Sequence, residues 1–134
     1  MKNAARVMGA VVLGIFLLGC GKNEEIQIVK NLDFTIVEEE RIPEELLTRI
    51  HEKKGIPFKF TFKDTGFLYI CVGYGEQEQG GYSIAVNALD ELRNAILVDT
   101  ELIGPKPGDN KKEGKSYPYI VIKTEEKDLP VIFD

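Results

Sequence analysis

The chain has 134 residues, of which 22 are acidic and 17 basic, so its formal charge is −5 at pH 7. This surplus of negative charge argues against nucleic acid and anionic lipid as ligands, because both repel an acidic protein. Two cysteines and a single histidine leave no disulfide framework and no thiolate metal site. The length fits one domain with a modest core, and we expect neither a cofactor nor a metal.

The first 19 residues have the pattern of a secretory signal. A basic start at Lys2 and Arg6 precedes an apolar run at 7–18, which is too short for a membrane-spanning helix of roughly 20 residues. The run ends Leu17-Leu18-Gly19-Cys20, which resembles the lipobox of bacterial lipoproteins. The resemblance implies cleavage before Cys20 and a diacylglyceryl group on its sulfur. The alternative is an ordinary signal in which the cysteine is incidental.

Cleavage at this point leaves 115 of the 134 residues and changes the formal charge from −5 to −7, because the excised segment carries two basic and no acidic residues. Residues 20–25 then form a lipid-tethered linker, and residues 26–134 form one β-rich domain. We therefore expect an extracytoplasmic protein that acyl chains on Cys20 attach to the bacterial cell membrane. Cys71 has no disulfide partner in this interpretation and behaves as a small hydrophobe.

The elements predicted first are two short strands, Ile26–Val29 and Leu32–Val37, and one amphipathic helix, Pro43–Lys54. Ile42, Leu46 and Ile50 recur at four-residue spacing and give the helix an apolar stripe. Proline suits the first helical position, and Gly55 follows as a C-terminal cap.

The further strands predicted are Ile56–Lys63, Phe67–Val72, Tyr82–Leu89, Ala95–Ile103, Tyr117–Lys123 and Leu129–Phe133. Phe67–Val72 is apolar at every position, so we expect it at the centre of a sheet with both faces covered. A polar turn is expected at Asp90–Asn94, and Pro130 keeps the last strand at an edge. The expected fold is mainly β (α+β): an antiparallel β-sandwich or partly open barrel of about seven strands with one short amphipathic helix.

A glycine-rich loop follows the central strand. Gly75 and the pair Gly80–Gly81 bracket a polar tip, and the chain returns as a strand at Tyr82. Loops held by a rigid sheet commonly carry the contacts of a small β domain, although the pattern also fits a hairpin connection without a partner. The second long connection, Gly104–Ser116, contains Pro107-Gly108, which fits the centre of a type II turn.

Few residues offer catalytic chemistry. The one histidine, His51, lies beside the apolar stripe of the helix, and neither Ser83 nor Ser116 has a local base or acid for a triad. Gly73-Tyr74-Gly75 is followed by Glu78 at the position where a nucleotide-binding loop needs its third glycine. We therefore expect no enzyme.

Three motifs follow one another along the chain: Gly75-Glu76-Gln77-Glu78-Gln79-Gly80-Gly81-Tyr82-Ser83-Ile84, Pro105-Lys106-Pro107-Gly108-Asp109 and Tyr117-Pro118-Tyr119. Together they resemble the C-terminal domain of the PrcB family, which is named after a lipoprotein subunit of a surface subtilisin-like protease complex. The resemblance implies a non-catalytic subunit that binds a protease and helps to stabilise it. The family has no established catalytic residues. The residues expected to contact the partner are Gly75, Gly80, Gly81, Tyr82, Ser83, Pro105, Pro107, Gly108, Tyr117 and Pro118.

The lead hypothesis is therefore a membrane-tethered domain that binds a secreted protease through the loops Gly75–Ser83 and Gly104–Ser116, which we expect at the same end of the sheet. A second hypothesis is a protease inhibitor that inserts the glycine loop into a cleft, by analogy with chagasin-like β-sandwich inhibitors. A third, of a different class, is a small-molecule-binding or envelope-structural lipoprotein, which needs a deep apolar pocket.

Overall fold

The computed structural model describes residues 27–108 and 113–134. The predicted signal segment at 1–19, Cys20, the linker at 20–25 and Asp109 lie outside the described residues. The described elements are β1 (Ile28–Asn31), β2 (Thr35–Ile36), a 3₁₀ turn (Glu39–Arg41), α1 (Glu44–Lys53), β3 (Pro57–Asp64), β4 (Phe67–Tyr74), β5 (Ser83–Leu92), β6 (Ile96–Ile103), β7 (Tyr119–Glu125) and β8 (Val131–Phe133).

The strands form two four-stranded sheets that pack face to face. Sheet A has the strand order β1-β5-β6-β8, and sheet B has the order β2-β7-β4-β3. All pairings are antiparallel except that of β6 with β8. The predicted mainly-β fold is confirmed in its sandwich form, since neither sheet closes into a barrel.

The parallel strand β8 departs from the antiparallel sheet that we expected. β7 ends at the end of the sandwich where β6 begins, so the chain enters β8 beside Ile96 and runs in the direction of β6. The Ile96 N–H donates to the Pro130 carbonyl oxygen at 2.8 Å and helps to hold this register. β8 lies at the edge of sheet A, as Pro130 predicted.

Strand β4 separates two hydrophobic clusters. Leu68, Ile70 and Val72 lie in the cluster between the two sheets. Tyr69 and Cys71 point to the opposite face, in the cluster that includes the buried residues of α1. Because both faces are covered, the prediction of a central buried strand is confirmed. Burial raises the pKa of the Cys71 thiol to about 12, so the thiol stays neutral and behaves as a hydrophobe.

Helix α1 covers the outer face of sheet B through Leu46 and Ile50, which have no exposed surface. Burial of each such side chain contributes roughly 1.5–3 kcal/mol. Pro43 lies at the N-cap in an extended conformation, one position before the predicted one. The predicted glycine cap is wrong, because Lys54 ends the helix in a right-handed conformation and Gly55 does not take a positive φ.

The predicted strand at 32–37 is a strand only at β2, because this segment carries the chain from one sheet to the other. The Leu32 N–H donates to the Leu89 carbonyl oxygen in sheet A, and the Val37 N–H donates to the Val121 carbonyl oxygen in sheet B, both at 2.9 Å. The residues between these two anchors therefore change sheets instead of extending one strand.

The predicted turn at Asp90–Asn94 begins three residues too early, because β5 continues through Leu92. The Asp90 side chain is only 5% exposed, and its carboxylate accepts a hydrogen bond from the Asn31 side-chain amide at 2.5 Å. A hydrogen-bond donor on the neighbouring strand β1 thus makes an acidic residue compatible with the sheet.

Candidate functional site

The two loops meet at one end of the sandwich, which we call the loop end and which comprises residues 75–83, 104–108 and 113–118. Gln77 and Ser116 form an isolated β-bridge in which the N–H of each donates to the carbonyl oxygen of the other, at 2.8 and 3.1 Å. The Ser116 hydroxyl also donates to the Gln79 carbonyl oxygen at 2.6 Å. The expectation that both loops lie at the same end is confirmed, and they are joined through their backbones.

Tyr74 ties the base of the loop end to both sheets. Its N–H donates to the Pro118 carbonyl oxygen at 3.0 Å, and its hydroxyl hydrogen-bonds with that of Thr100 in sheet A at 2.6 Å. The Gln77 side-chain amide donates to the Tyr74 carbonyl oxygen at 3.2 Å. The glycine loop is therefore anchored at its first turn.

Gly75 shapes that turn and is buried. It has a φ of +79°, and a Cβ atom at this position would lie 2.9 Å from the Pro57 Cδ atom. Both the backbone conformation and the close approach exclude a larger residue. Because Gly75 is buried, its role in the folded chain is to form the turn, and it offers little surface to a partner.

The second half of the loop packs against the proline-containing segment. Gly81 has a φ of +92°, and a Cβ atom there would lie 3.3 Å from the Pro105 Cβ atom. A Cβ atom on Gly104 would lie 3.4 Å from Cε1 of the Tyr82 ring. The half-buried Tyr82 and Pro105 thus brace the two loops, while Gly81 itself is exposed.

The turn at Pro107-Gly108 is the most open part of the loop end. Gly108 has a φ of +92° and nothing within 4 Å of an added Cβ atom, which agrees with the positive φ required at the third position of a type II turn. Both residues are exposed, as is Ser83, whereas Gly80, Tyr117 and Pro118 are half-buried. Nine of the ten predicted contact residues therefore keep some accessible surface at this end.

Glu76 links the charged side chains of the two loops. Its carboxylate lies 3.0 Å from the Lys115 amine and accepts a hydrogen bond from the Tyr117 hydroxyl at 3.4 Å. The hydrogen bond and charge of Glu76 raise the pKa of Lys115. The Lys54 amine lies 5.2 Å from the centre of the Tyr117 ring, so helix α1 also reaches this surface.

Sequence reasoning missed the residues that join the loops. Gln77, Ser116, Glu76 and Lys115 all make contacts between segments that are far apart along the chain. No spacing or residue type in the sequence predicts these contacts between the loops, because a polar residue in a loop has many alternative hydrogen-bond partners, including water.

The structure gathers no group of three or more His, Cys, Asp or Glu side chains suited to a metal ion within the described residues. His51 is 46% exposed, and its Nε2 atom lies 3.9 Å from the Glu39 carboxylate. The Ser116 hydroxyl is already bonded to a loop carbonyl. The described surroundings of His51 contain no buried ionisable cluster.

A groove with a volume of about 1000 Å³ lies beside β2 and β7. Phe34 and Phe67 line it together with Lys30, Lys123 and Glu125. Its open shape and its charges of both signs differ from the deep apolar pocket that the small-molecule hypothesis requires. A smaller groove of about 330 Å³ lies along the outer side of β7.

These features define an antiparallel β-sandwich with one parallel edge strand, a helix on its outer face and two bridged loops at one end. None of the described helices has the length and apolar character needed to cross a membrane. The family model described as PrcB C-terminal matches residues 68–125, which include the three motifs of the loop end. The segment 68–125, which contains β4 to β7, is thereby assigned to the PrcB C-terminal family. No curated protein and no solved structure matches the chain.

Proposed function

We propose that this protein is a non-catalytic subunit of an extracytoplasmic protease complex, attached to the membrane through a lipid on Cys20. In this proposal the loop end binds a secreted, subtilisin-like protease and stabilises it. The observation that carries the proposal is the match to the PrcB C-terminal family, which spans all of the described loop end. The family's domain is of a non-catalytic subunit type.

The bridged loops favour binding because their backbone is ordered before a partner arrives. Ordering a loop on association costs free energy, and a pre-ordered surface avoids much of that cost. The Gln77–Ser116 bridge and the bond from Ser116 to Gln79 fix both loops together. The half-buried rings of Tyr82 and Tyr117 add the amphipathic surface that is common at protein interfaces.

The position of β1 determines how a tethered protein would be oriented. β1 begins at Ile28, opposite Leu92, at the end of the sandwich away from the loop end, which we call the far end. Residues 20–26 can span at most about 25 Å when fully extended, and an eight-residue strand is roughly 26 Å long. A lipid on Cys20 would therefore hold the far end near the membrane, and the loop end would face away from it, towards a secreted partner.

The test compares two exposed acidic residues at opposite ends of the molecule. Glu78 lies at the tip of the glycine loop and Asp128 lies at the far end. We expect Glu78→Arg in the full chain to abolish co-purification of a protease from native membranes, and Asp128→Arg to leave it intact. Retention of the protease by both variants would contradict a role for the loop end.

A panel of purified subtilisin-like proteases distinguishes this function from inhibition. The proposed subunit lengthens the active lifetime of its protease without reducing turnover, whereas an inhibitor of the chagasin-like kind reduces turnover in proportion to its occupancy. Cys20→Ser in the full chain is expected to release the protein from the membrane fraction. Continued membrane association of that variant would refute the lipid anchor.

A further inference from the structure

The first described strand, β1, exposes apolar side chains on both of its faces. Ile28 is 51% exposed and Val29 is 59% exposed. Successive residues of a strand point to opposite faces, so a strand that packs on a core normally buries one of the two. β1 begins beside Leu92 at the far end, and both of its faces are open there to a further layer.

The groove of about 1000 Å³ beside β2 and β7 continues this surface, because Lys30 of β1 lines it. Phe34, Ile36 and Phe67 also line the groove, and each is 38–51% exposed. Three other large hydrophobic residues of the described chain have comparable exposure but do not line the groove: Ile56, Ile103 and Ile132. Exposed apolar side chains are therefore concentrated along the groove and β1.

The two phenylalanines of the groove lie at the far end. Phe67 begins β4 and pairs with Glu125 at the end of β7. The Thr124 hydroxyl donates to the Asp33 carbonyl oxygen at 2.8 Å, which holds Phe34 beside the same end of β7. The two rings and the exposed residues of β1 thus belong to one surface. We call it the tether face, and it comprises Ile28–Lys30, Phe34, Ile36 and Phe67.

The charges of this surface differ from those of the whole chain. The chain has five more acidic than basic residues, whereas the groove is lined by Lys30, Arg41, Lys123 and Lys127 and by Asp33, Glu38 and Glu125. The Lys123 amine lies 4.2 Å from the centre of the Phe67 ring and 5.8 Å from that of Tyr69. Aromatic rings with lysines beside them are typical of the lipid–water interface. The mixture of both signs suits zwitterionic headgroups, which also carry both.

We propose that the tether face docks on the zwitterionic headgroup layer of the membrane that holds the lipid anchor. The inference rests on the proposed function, since it takes the lipid on Cys20 as given. Residues 20–26 span at most about 25 Å and join the domain at β1, so the tether face is the surface that they bring to the membrane. A short tether gives an effective concentration on the order of millimolar, so a weak attraction is enough to keep the face docked.

Single tryptophans report this contact, because the chain has none of its own. Phe67→Trp places a reporter on the tether face, and Ile103→Trp places one opposite Ser83 at the loop end, at a residue of similar exposure. The lipidated full chain is reconstituted into phosphatidylcholine vesicles whose acyl chains carry bromine, which quenches tryptophan on contact. We expect the Phe67→Trp reporter to lose about half or more of its emission relative to unbrominated vesicles, and the Ile103→Trp reporter to lose none.

Two matched charges, each added to the Phe67→Trp chain, test the face itself. Phe34→Glu places a carboxylate on the tether face. Ile56→Glu places the same group on an exposed apolar residue next to Pro57, which pairs with Tyr74 beside the loop end. We expect the first to lose the quenching, because a carboxylate opposes contact with acyl chains, and the second to retain it. The comparison of the two reporters needs neither charged variant.

Flotation of the chain with the vesicles but no quenching of the Phe67→Trp reporter would overturn docking and leave the anchor intact. Equal quenching of both reporters, or quenching that Phe34→Glu leaves unchanged, would also overturn it. A blue-shifted, unquenched emission that reverts on dilution of the protein would assign the face to a second copy and overturn it as well.

Loss of flotation would overturn the anchor together with docking. The Glu78→Arg capture experiment tests the loop end separately. Failure of docking and failure of the proposed function can therefore be told apart.

Discussion

The loop end and the far end of the sandwich are built in different ways. At the loop end, two long connections are bridged through their backbones, and glycines lie against prolines: Gly75 against Pro57 and Gly81 against Pro105. At the far end the connection between β3 and β4 is a short turn, where Gly66 has a φ of +87° and open space around an added Cβ atom. Tertiary packing therefore constrains Gly75 and Gly81 at the loop end, whereas conformation alone constrains Gly66.

The largest expected effect on stability comes from adding one methyl group to a glycine at each end. We expect Gly75→Ala to lower the free energy of unfolding by about 3 kcal/mol, because it adds a clash with Pro57 to the strain of a positive φ. Gly66→Ala brings only the strain and should cost about 1 kcal/mol. Urea denaturation of both variants measures the difference.

The control for this pair is Pro57→Ala combined with Gly75→Ala. If the clash with the Pro57 ring is responsible, the second substitution should recover part of the lost stability. Equal losses for Gly75→Ala and Gly66→Ala would show that packing does not distinguish the two ends.

A smaller effect is expected from hydrogen bonds at the two ends. Asn31→Ala removes the donor to the buried Asp90 carboxylate and should cost about 2 kcal/mol, because a buried charged acceptor loses a partner. Ser116→Ala removes one hydrogen bond at the loop end and should cost about 1 kcal/mol. Thermal and urea unfolding measure both variants.

Adding Asp90→Ala to Asn31→Ala completes a double-mutant cycle at the far end. A coupling free energy near zero would contradict the role assigned to this hydrogen bond.

The last expected effect appears only at alkaline pH and concerns Cys71, which lies in the core between the two ends. Burial raises its pKa from the usual 9.0 to about 12, so the folded thiol keeps its proton at pH values where the unfolded thiol loses it. The unfolded state then binds fewer protons, and stability falls with rising pH above about 9, by up to about 1.4 kcal/mol per pH unit. The raised pKa of Tyr119 acts in the same direction at higher pH.

The measurement is the free energy of unfolding from pH 8 to pH 11 for the native chain and for Cys71→Ala. We expect the variant to be less stable at pH 8 but to show a shallower decline with pH. Parallel declines would contradict the assignment to Cys71. Thiol reagents should leave Cys71 unlabelled in the folded chain.

Patterns of residue type predicted those features that depend on local physics. Three features were predictable because they depend only on residues close together in the sequence. They are the apolar run in β4, the four-residue spacing of apolar residues in α1 and the Pro107-Gly108 turn. The motifs around Gly75–Ile84 and Tyr117–Tyr119 likewise lie in a segment that a family model matches. Their expected role in binding a partner stays a prediction.

Where prediction failed, long-range contacts outweighed local preference. The residue type of Asp90 predicts a turn, but Asp90 lies in β5 because the Asn31 side chain on β1 donates a hydrogen bond to its carboxylate. Gly55 reads as a helix cap, yet Lys54 ends the helix without it. Residues 32–37 were predicted to form one strand, because their alternation of apolar and polar residues does not indicate that the chain changes sheets here.

By itself the sequence determined which segments are apolar on one face or on both, and this pattern located the strands and the helix. Its glycines and prolines located the loops. Only the tertiary structure decided that β8 runs parallel to β6 and that Gln77 pairs with Ser116. The physical reason is that burial preferences are properties of each side chain, whereas strand neighbours and loop bridges depend on where distant backbone groups meet.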